Sequence, residues 1–147
     1  MLDALPHIPF FMGLNAEQLA TLAKAFDLCR CATGAVIFEQ GDPASHVYLI
    51  LKGRVITSYK PYDGPRIIIS RLKDGDVFGW SAVVGSAKYS SSVVCETDLE
   101  ALRLHREVLR TLANYHPETS RLIIDRLALN VSPRWKNAHE QIASLIR

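Results

Sequence analysis

The feature that most constrains the fold is a central region, residues 28–104, in which short strand-forming runs alternate with glycine turns. The runs are rich in Val, Ile, Tyr and Phe, which favour strands. The Gly-Asp and Asp-Gly steps between them supply the positive φ that tight turns need. Short strands with turns at intervals of roughly 8–12 residues are typical of a β-sandwich, jelly roll or barrel. The predicted strands are residues 36–38, 47–51, 54–59, 67–69, 91–95 and 100–104.

Both ends of the chain have helical periodicity. Asn15 with Gln18 three residues later is a capping-box pattern, and the apolar residues that follow recur at helical spacing. Residues 105–112 form a short amphipathic segment, and Pro117 suits the first turn of another helix. We expect Ser132-Pro133 to interrupt that helix. We also expect an apolar stripe along it to form a two-fold dimer; the stripe consists of Leu122, Leu127, Val131, Trp135 and Ile142.

Composition and charge exclude several classes of protein. The 147 residues carry a net charge of +2, which is too small to suggest nucleic-acid binding over the whole surface. No apolar run reaches the roughly 20 residues that a membrane span needs. No secretory signal is visible at the start. Cys29 and Cys31 flank one residue, a spacing that suits neither zinc pairs nor a CxxC redox motif, so we interpret them as buried or half-buried thiols. The expectation is a cytoplasmic single domain, 1–147, with a helical segment 1–27, a β-roll 28–104 and helices 105–147.

One segment carries the functional argument: residues 75–93, which read GDVFGWSAVVGSAKYSSSV. Together with GAVIFEQGDPA at 34–44 and VYLILKGRV at 47–55, it resembles the cyclic-nucleotide-binding domain family. That family includes effector domains of catabolite-activator-type bacterial regulators, regulatory subunits of protein kinase A and gating domains of some channels. The resemblance extends from about Ile8 to Arg147. It implies a β-roll or jelly roll (a double-stranded β-helix) with an N-terminal helix and a C-terminal helical hinge.

The resemblance also identifies residues 75–93 as the phosphate-binding cassette, and this cassette departs from the family pattern. A glutamate after Phe-Gly that binds the ribose is replaced by Trp80, and an arginine that pairs with the phosphate is replaced by Tyr89. Neither replacement supplies the lost acceptor or cation. Lys88 is either a substitute point charge or a surface-turn lysine. The candidate ligand-binding residues are Phe78, Gly79, Trp80, Ser81, Ala82, Val83, Lys88, Tyr89, Ser90 and Ser91.

Two interpretations of the aromatic replacements remain open at this point. Trp80 and Tyr89 either fill the ligand pocket as an extension of the core or line a remodelled site that stacks a flat ligand. Arg134 and Trp135 align with the place where family members cap the base, so they are either a lid or, for Trp135, filler in a dimer core.

The resulting functional prediction is a non-catalytic, ligand-sensing regulatory domain that binds cyclic AMP and cyclic GMP weakly or with altered specificity. Its ligand would be a cyclic nucleotide or another small anionic or aromatic molecule. The sequence identifies no definite cofactor. The alternatives are an interaction or dimerisation module without ligand, or the effector domain of a longer transcription regulator. The five histidines form no metal-ligand pair, and no nucleophile has a recognisable base. We expect no DNA-binding domain within these 147 residues.

Overall fold

Two four-stranded antiparallel sheets form the centre of the molecule in a computed structural model that describes residues 7–131. Sheet A has the strand order β1-β8-β3-β6, and sheet B has the order β2-β7-β4-β5. The strands are β1 (Asp27–Cys31), β2 (Val36–Phe38), β3 (His46–Lys52), β4 (Val55–Tyr59), β5 (Ile67–Leu72), β6 (Val77–Phe78), β7 (Ser92–Cys95) and β8 (Leu99–His105). The predicted β-roll, or jelly roll, is confirmed.

The helices flank the sheets, apart from one short helix inside the cassette. A 3-10 turn (Pro9–Phe11) precedes α1 (Ala16–Ala25); α2 (Ser81–Val84) lies between β6 and β7; and α3 (Arg106–Tyr115) and α4 (Pro117–Leu129) follow β8. Asn15 and Gln18 form the predicted capping box, with the Gln18 backbone N–H donating to the Asn15 side chain at 2.8 Å. None of the described helices reaches the length and hydropathy needed to cross a membrane.

Sheet A separates two apolar cores because side chains alternate between the two faces of a strand. The first, called the helix-side core, lies between sheet A and the helices; it comprises Phe11, Leu22, Ala25, Phe26, Val47, Leu49, Val77, Leu102, Leu104, Leu109, Leu112, Ile123, Leu127 and Val131. The second, called the roll interior, lies between the two sheets; it comprises Phe38, Ala44, Tyr48, Ile50, Val55, Leu72, Phe78, Ala82, Tyr89, Val93, Cys95, Leu99 and Ala101.

The apolar side of α4 packs on its own domain. Ile123 and Leu127 are fully buried, and Val131, just beyond the helix, forms a parallel bridge with Val77. The Val77 backbone N–H donates to the carbonyl of Asn130 at 2.9 Å. The chain leaving α4 is therefore joined to the strand that leads into the cassette.

This packing changes the residue assignment of the predicted dimer stripe. Leu127 and Val131 are already covered within one protomer, because they belong to the helix-side core, so they are not free to meet a second copy. Leu129, in contrast, is 84% exposed. Pro133, Trp135 and Ile142 lie outside the described residues, and the homodimer itself stays a prediction.

Candidate functional site

The cassette begins where β6 passes close to β3. Gly79 has φ +77°, and a Cβ atom at this position would lie 2.7 Å from the carbonyl oxygen of His46. Only glycine fits both the left-handed backbone and this close approach. The Phe78-Gly79 step thus fixes the start of the cassette against the backbone of β3.

The short helix α2 follows with its first amide groups already bonded. Trp80 occupies the N-cap position with helical dihedral angles, and its side chain makes no capping hydrogen bond. The backbone N–H of Ala82 donates to the carbonyl of Gly79 at 3.1 Å, and that of Val83 donates to the carbonyl of Trp80 at 2.9 Å. These two amides are satisfied inside the turn and are not directed at an open anion site.

Tyr89, at the position of the family's arginine, is buried in the roll interior. Its ring stacks on Phe38 with centroids 3.5 Å apart and planes 8° from parallel. Its hydroxyl accepts from the backbone N–H of His46 at 2.9 Å and donates to the carbonyl of the same residue. Burial raises the pKa of the Tyr89 phenol. The side chain is neutral, fully paired and directed inward.

Four aromatic rings fill this part of the roll interior. Tyr48 stacks on Phe78 with centroids 4.6 Å apart, and Phe38 lies within about 6 Å of both rings while stacking on Tyr89. All four side chains are 6% exposed or less. The five surface pockets of 300–790 Å³ formed by residues such as Cys31, Phe10 and Tyr115 lie outside residues 76–96. The Tyr89 side chain is thus part of the packed core.

Trp80, unlike Tyr89, does not pack in the roll interior. It is half-buried and packs against the helix-side core, as does Val83. Trp80 and Tyr89 therefore lie in different cores and do not line one common pocket. Whether these rings fill the ligand pocket or line a remodelled site stays a prediction.

The polar members of the predicted site are dispersed. Ser81 and Ser91 are buried, and Ser90 is half-buried. Lys88 is exposed, and its backbone forms a bridge with Pro43. Of the ten candidate residues, the roll interior contains only Phe78, Ala82 and Tyr89. Arg134 and Trp135 lie outside the described residues, and the lid stays a prediction.

Sequence reasoning missed a cation beside the cassette. Arg106, the first residue of α3, extends Nη1 to the carbonyls of Ser86 at 2.8 Å and Ala44 at 3.1 Å. Its charge contributes to the environment of the Tyr89 phenol. Arg106 thus holds the loop after α2 in place, and its Nη1 is already bonded to backbone carbonyls. No sequence pattern marks this role, because a charged residue at a helix start is ordinarily a surface residue.

A second missed feature is a pair of buried hydroxyls on sheet B. Thr57 Oγ1 and Ser70 Oγ lie 2.9 Å apart, and both side chains are at least 92% buried. They satisfy each other and the backbone, so they add no free donor. Within residues 7–131 no group of three His, Cys, Asp or Glu side chains has an arrangement suited to a metal ion.

Comparison with known proteins decides the family. The model of the cyclic nucleotide-binding domain matches residues 28–116, which is more than half of the chain. The chain belongs to this family. The predicted resemblance to this family is thereby confirmed, and the assignment of residues 75–93 as the phosphate-binding cassette stays a prediction.

Two curated relatives and one solved structure illustrate the similarity. A CRP-like cAMP-activated global transcriptional regulator from Mycobacterium tuberculosis is 25% identical over 98% of this chain, which spans 62% of that protein. A cAMP-dependent protein kinase regulatory subunit from Aspergillus fumigatus is 30% identical over 74% of this chain, which spans 25% of that protein. A cyclic nucleotide-binding domain from Methylobacillus flagellatus, 20% identical, matches with a TM-score of 0.76 over 97% of this chain and 80% of that one.

Proposed function

We propose that this chain is a non-catalytic regulatory domain that binds cyclic AMP and cyclic GMP weakly or not at all. The observation that carries the proposal is the burial of Tyr89 against Phe38, at the position where the family places its phosphate-binding arginine. A neutral phenol bonded to the backbone of His46 offers a phosphate neither charge nor a free donor.

The expected loss of affinity for cyclic nucleotides follows from two missing contacts with the ligand. A hydrogen bond to a charged group contributes roughly 1.5–3 kcal/mol, and both the arginine and the glutamate are replaced. At about 1.4 kcal/mol per tenfold change, the two losses together weaken binding by roughly 10²–10⁴. The amides of Ala82 and Val83 do not offset this loss, since both are bonded within the turn.

Calorimetry on four proteins tests the proposal. The wild type and Trp80→Glu should show no binding of cyclic AMP or cyclic GMP below about 1 mM, since each lacks the cation. Tyr89→Arg combined with Trp80→Glu should bind at least about tenfold more tightly, because it restores both contacts. Tyr89→Phe is the matched control that keeps the ring and adds no charge, and it should bind no better than the wild type. Micromolar binding by the wild type would refute the proposal.

A second candidate is the effector domain of a longer regulator. It is favoured because the chain spans 62% of the mycobacterial transcriptional regulator, so that relative has further sequence outside the match. Reading the gene beyond codon 147 tests it: a helix-turn-helix pattern there supports this candidate, and a stop codon contradicts it.

The proposal extends to assembly as a homodimer through the C-terminal helical region. Sedimentation of the full chain should show a concentration-dependent dimer. Because Leu127 is buried in the monomer and Leu129 is 84% exposed, Leu129→Glu should weaken the dimer without lowering the unfolding midpoint. A strict monomer at high concentration would contradict this part of the proposal.

A further inference from the structure

The three cysteines of the chain come together at one end of the roll interior. Cys29 and Cys31 lie two residues apart on β1, so their side chains share one face of the strand, and Cys95 ends β7 in the other sheet. The Sγ atoms of Cys29 and Cys31 are 3.5 Å apart. Cys31 also contributes to the raised pKa of the Cys95 thiol, so it is near both other thiols.

Cys29 and Cys31 are both half-buried, whereas Cys95 is 2% exposed. Cys31 also lines an open pocket of about 470 Å³ whose walls include neither Cys29 nor Cys95. Charged side chains of both signs line the same pocket, among them Lys52 and Glu100. A small polar oxidant that enters the pocket meets Cys31 first.

The neighbouring thiols are protonated at neutral pH. Burial is the main cause that raises the pKa of Cys29 to about 11 and that of Cys95 to about 12, and Cys31 contributes to both shifts. The Cys29 thiol lies 3.5 Å from the Cys31 sulfur, close enough to react with it once Cys31 is oxidised.

We propose that Cys31 is an oxidation site for hydroperoxides and that Cys29 resolves it into a disulfide within β1. The Cys31 thiolate attacks one oxygen of hydrogen peroxide; an S–O bond forms, the O–O bond breaks and hydroxide leaves, giving a sulfenic acid. The Cys29 sulfur then attacks the Cys31 sulfur, the S–O bond breaks, and the departing hydroxide takes the Cys29 proton to leave as water. One peroxide gains two electrons, and the two thiols lose them.

The expected structural consequence falls on an edge strand. Among the strands of residues 7–131, β1 pairs only with β8, in register from Asp27 opposite Arg103 to Cys31 opposite Leu99. Alternate residues of a straight strand are about 6.6–6.8 Å apart, at the upper limit of the Cα separation in disulfides. The bond must therefore shorten and bend β1, which weakens its pairing with β8.

The test is oxidation of the full chain by hydrogen peroxide, followed by blocking of free thiols and mass spectrometry of tryptic peptides. Trypsin cleaves after Arg30, so a Cys29–Cys31 disulfide links peptide 25–30 to peptide 31–52, whereas a Cys31–Cys95 disulfide links 31–52 to 89–103. The first link is the expected result. The second link, or only disulfides between chains, would overturn the proposal.

Serine variants separate the roles of the three thiols. Cys29→Ser should stop at a sulfenic acid on Cys31 that dimedone traps, and Cys31→Ser should lower the rate of thiol oxidation by at least about tenfold. Cys95→Ser is the matched control and should still form the 25–30 to 31–52 link. Hydrogen exchange should show faster exchange of β1 amides in oxidised than in reduced wild type. Equal oxidation rates in the Cys31→Ser and wild-type proteins would overturn the proposal.

Discussion

The helix-side core and the roll interior share sheet A as a common wall, yet they are built from different residues. The helix-side core is mainly aliphatic, and its members come from both ends of the described chain, for example Phe11 and Ile123. The roll interior is dominated by four aromatic rings and includes the three-thiol cluster at its edge. The first core is made by long-range helix docking, and the second by residues of the strands and the cassette.

The cassette shows the consequence of this difference, because it contributes one large aromatic residue to each core. Tyr89 enters the roll interior, where its ring stacks on Phe38. Trp80, nine residues earlier, packs on the helix-side core instead. Two aromatic residues that look equivalent in the sequence thus have separate structural roles: one packs between the sheets, and the other attaches the cassette to the helices.

The largest expected effect comes from truncating the helix-side core. Ile123 is fully buried, and Ile123→Ala should lower the free energy of unfolding by about 3–4 kcal/mol, since it removes buried methyl groups and leaves a cavity. Urea unfolding measures this loss. Ile124→Ala, at a half-buried neighbour, is the control and should cost clearly less. An equal cost for the two variants would show that α4 docks less tightly than described.

Gly79 tests the contact that holds the cassette between the two cores. Gly79→Ala should destabilise by about 2–3 kcal/mol, because an alanine with positive φ is strained and its Cβ would lie 2.7 Å from the His46 carbonyl. Gly85→Ala is the matched control, since Gly85 has φ +84° but no atom within 4 Å of an added Cβ. It should cost only about 1 kcal/mol. Thermal unfolding of both variants gives the comparison, and equal losses would contradict the close approach.

Tyr89→Phe tests the polar part of the roll interior. The ring and its stacking on Phe38 remain, but the His46 N–H and C=O lose their partner. Leaving buried polar groups unpaired should cost about 1–2 kcal/mol. Denaturant unfolding at neutral pH measures it. A neutral or stabilising result would mean that water replaces the hydroxyl and that the interior is open at this point.

The smallest expected effect is a pH dependence from His46. Burial lowers the pKa of its imidazole, the charges of Arg103 and His105 lower it further, and Asp27 opposes them. In the unfolded chain the imidazole has a pKa near 6.5, which is higher than its pKa in the folded protein. The unfolded state therefore binds more protons as the pH falls, and the folded state should lose stability below about pH 6.5. Urea midpoints at pH 7.5 and 5.5 measure the loss. His46→Gln should reduce the pH dependence, and His7→Gln, at an exposed residue, should leave it unchanged.

Local patterns in the sequence were sufficient to predict most of the fold. The capping box at Asn15 and the helix start at Pro117 depend on neighbouring residues alone, and both were correct. The strand region was also predicted closely: β1 begins at Asp27 and β8 ends at His105, one residue outside 28–104 on either side. The two-residue strand β6 was missed because so short a run carries no periodicity.

The site was harder to predict than the fold. The replacement of glutamate and arginine is visible in the sequence, but the side of the sheet on which each aromatic ring lies is not. It depends on the left-handed turn at Gly79 and on the way α2 packs, both of which are tertiary features. Cys31 and Cys95 are likewise brought together only when β1 and β7 face each other across the roll. Sequence spacing predicted buried or half-buried thiols at Cys29 and Cys31, which agrees with the structure, but it could not predict their closeness to Cys95.

The bridge between Val77 and Val131 gives the molecule a short mechanical linkage. One hydrogen bond, from the Val77 amide to the Asn130 carbonyl, joins the exit of α4 to the strand that ends in Phe78-Gly79. Val77 and Val131 also share the helix-side core. A displacement of Val131 would therefore either break this hydrogen bond or move β6 with it, so the bridge is the shortest connection between the end of α4 and the cassette.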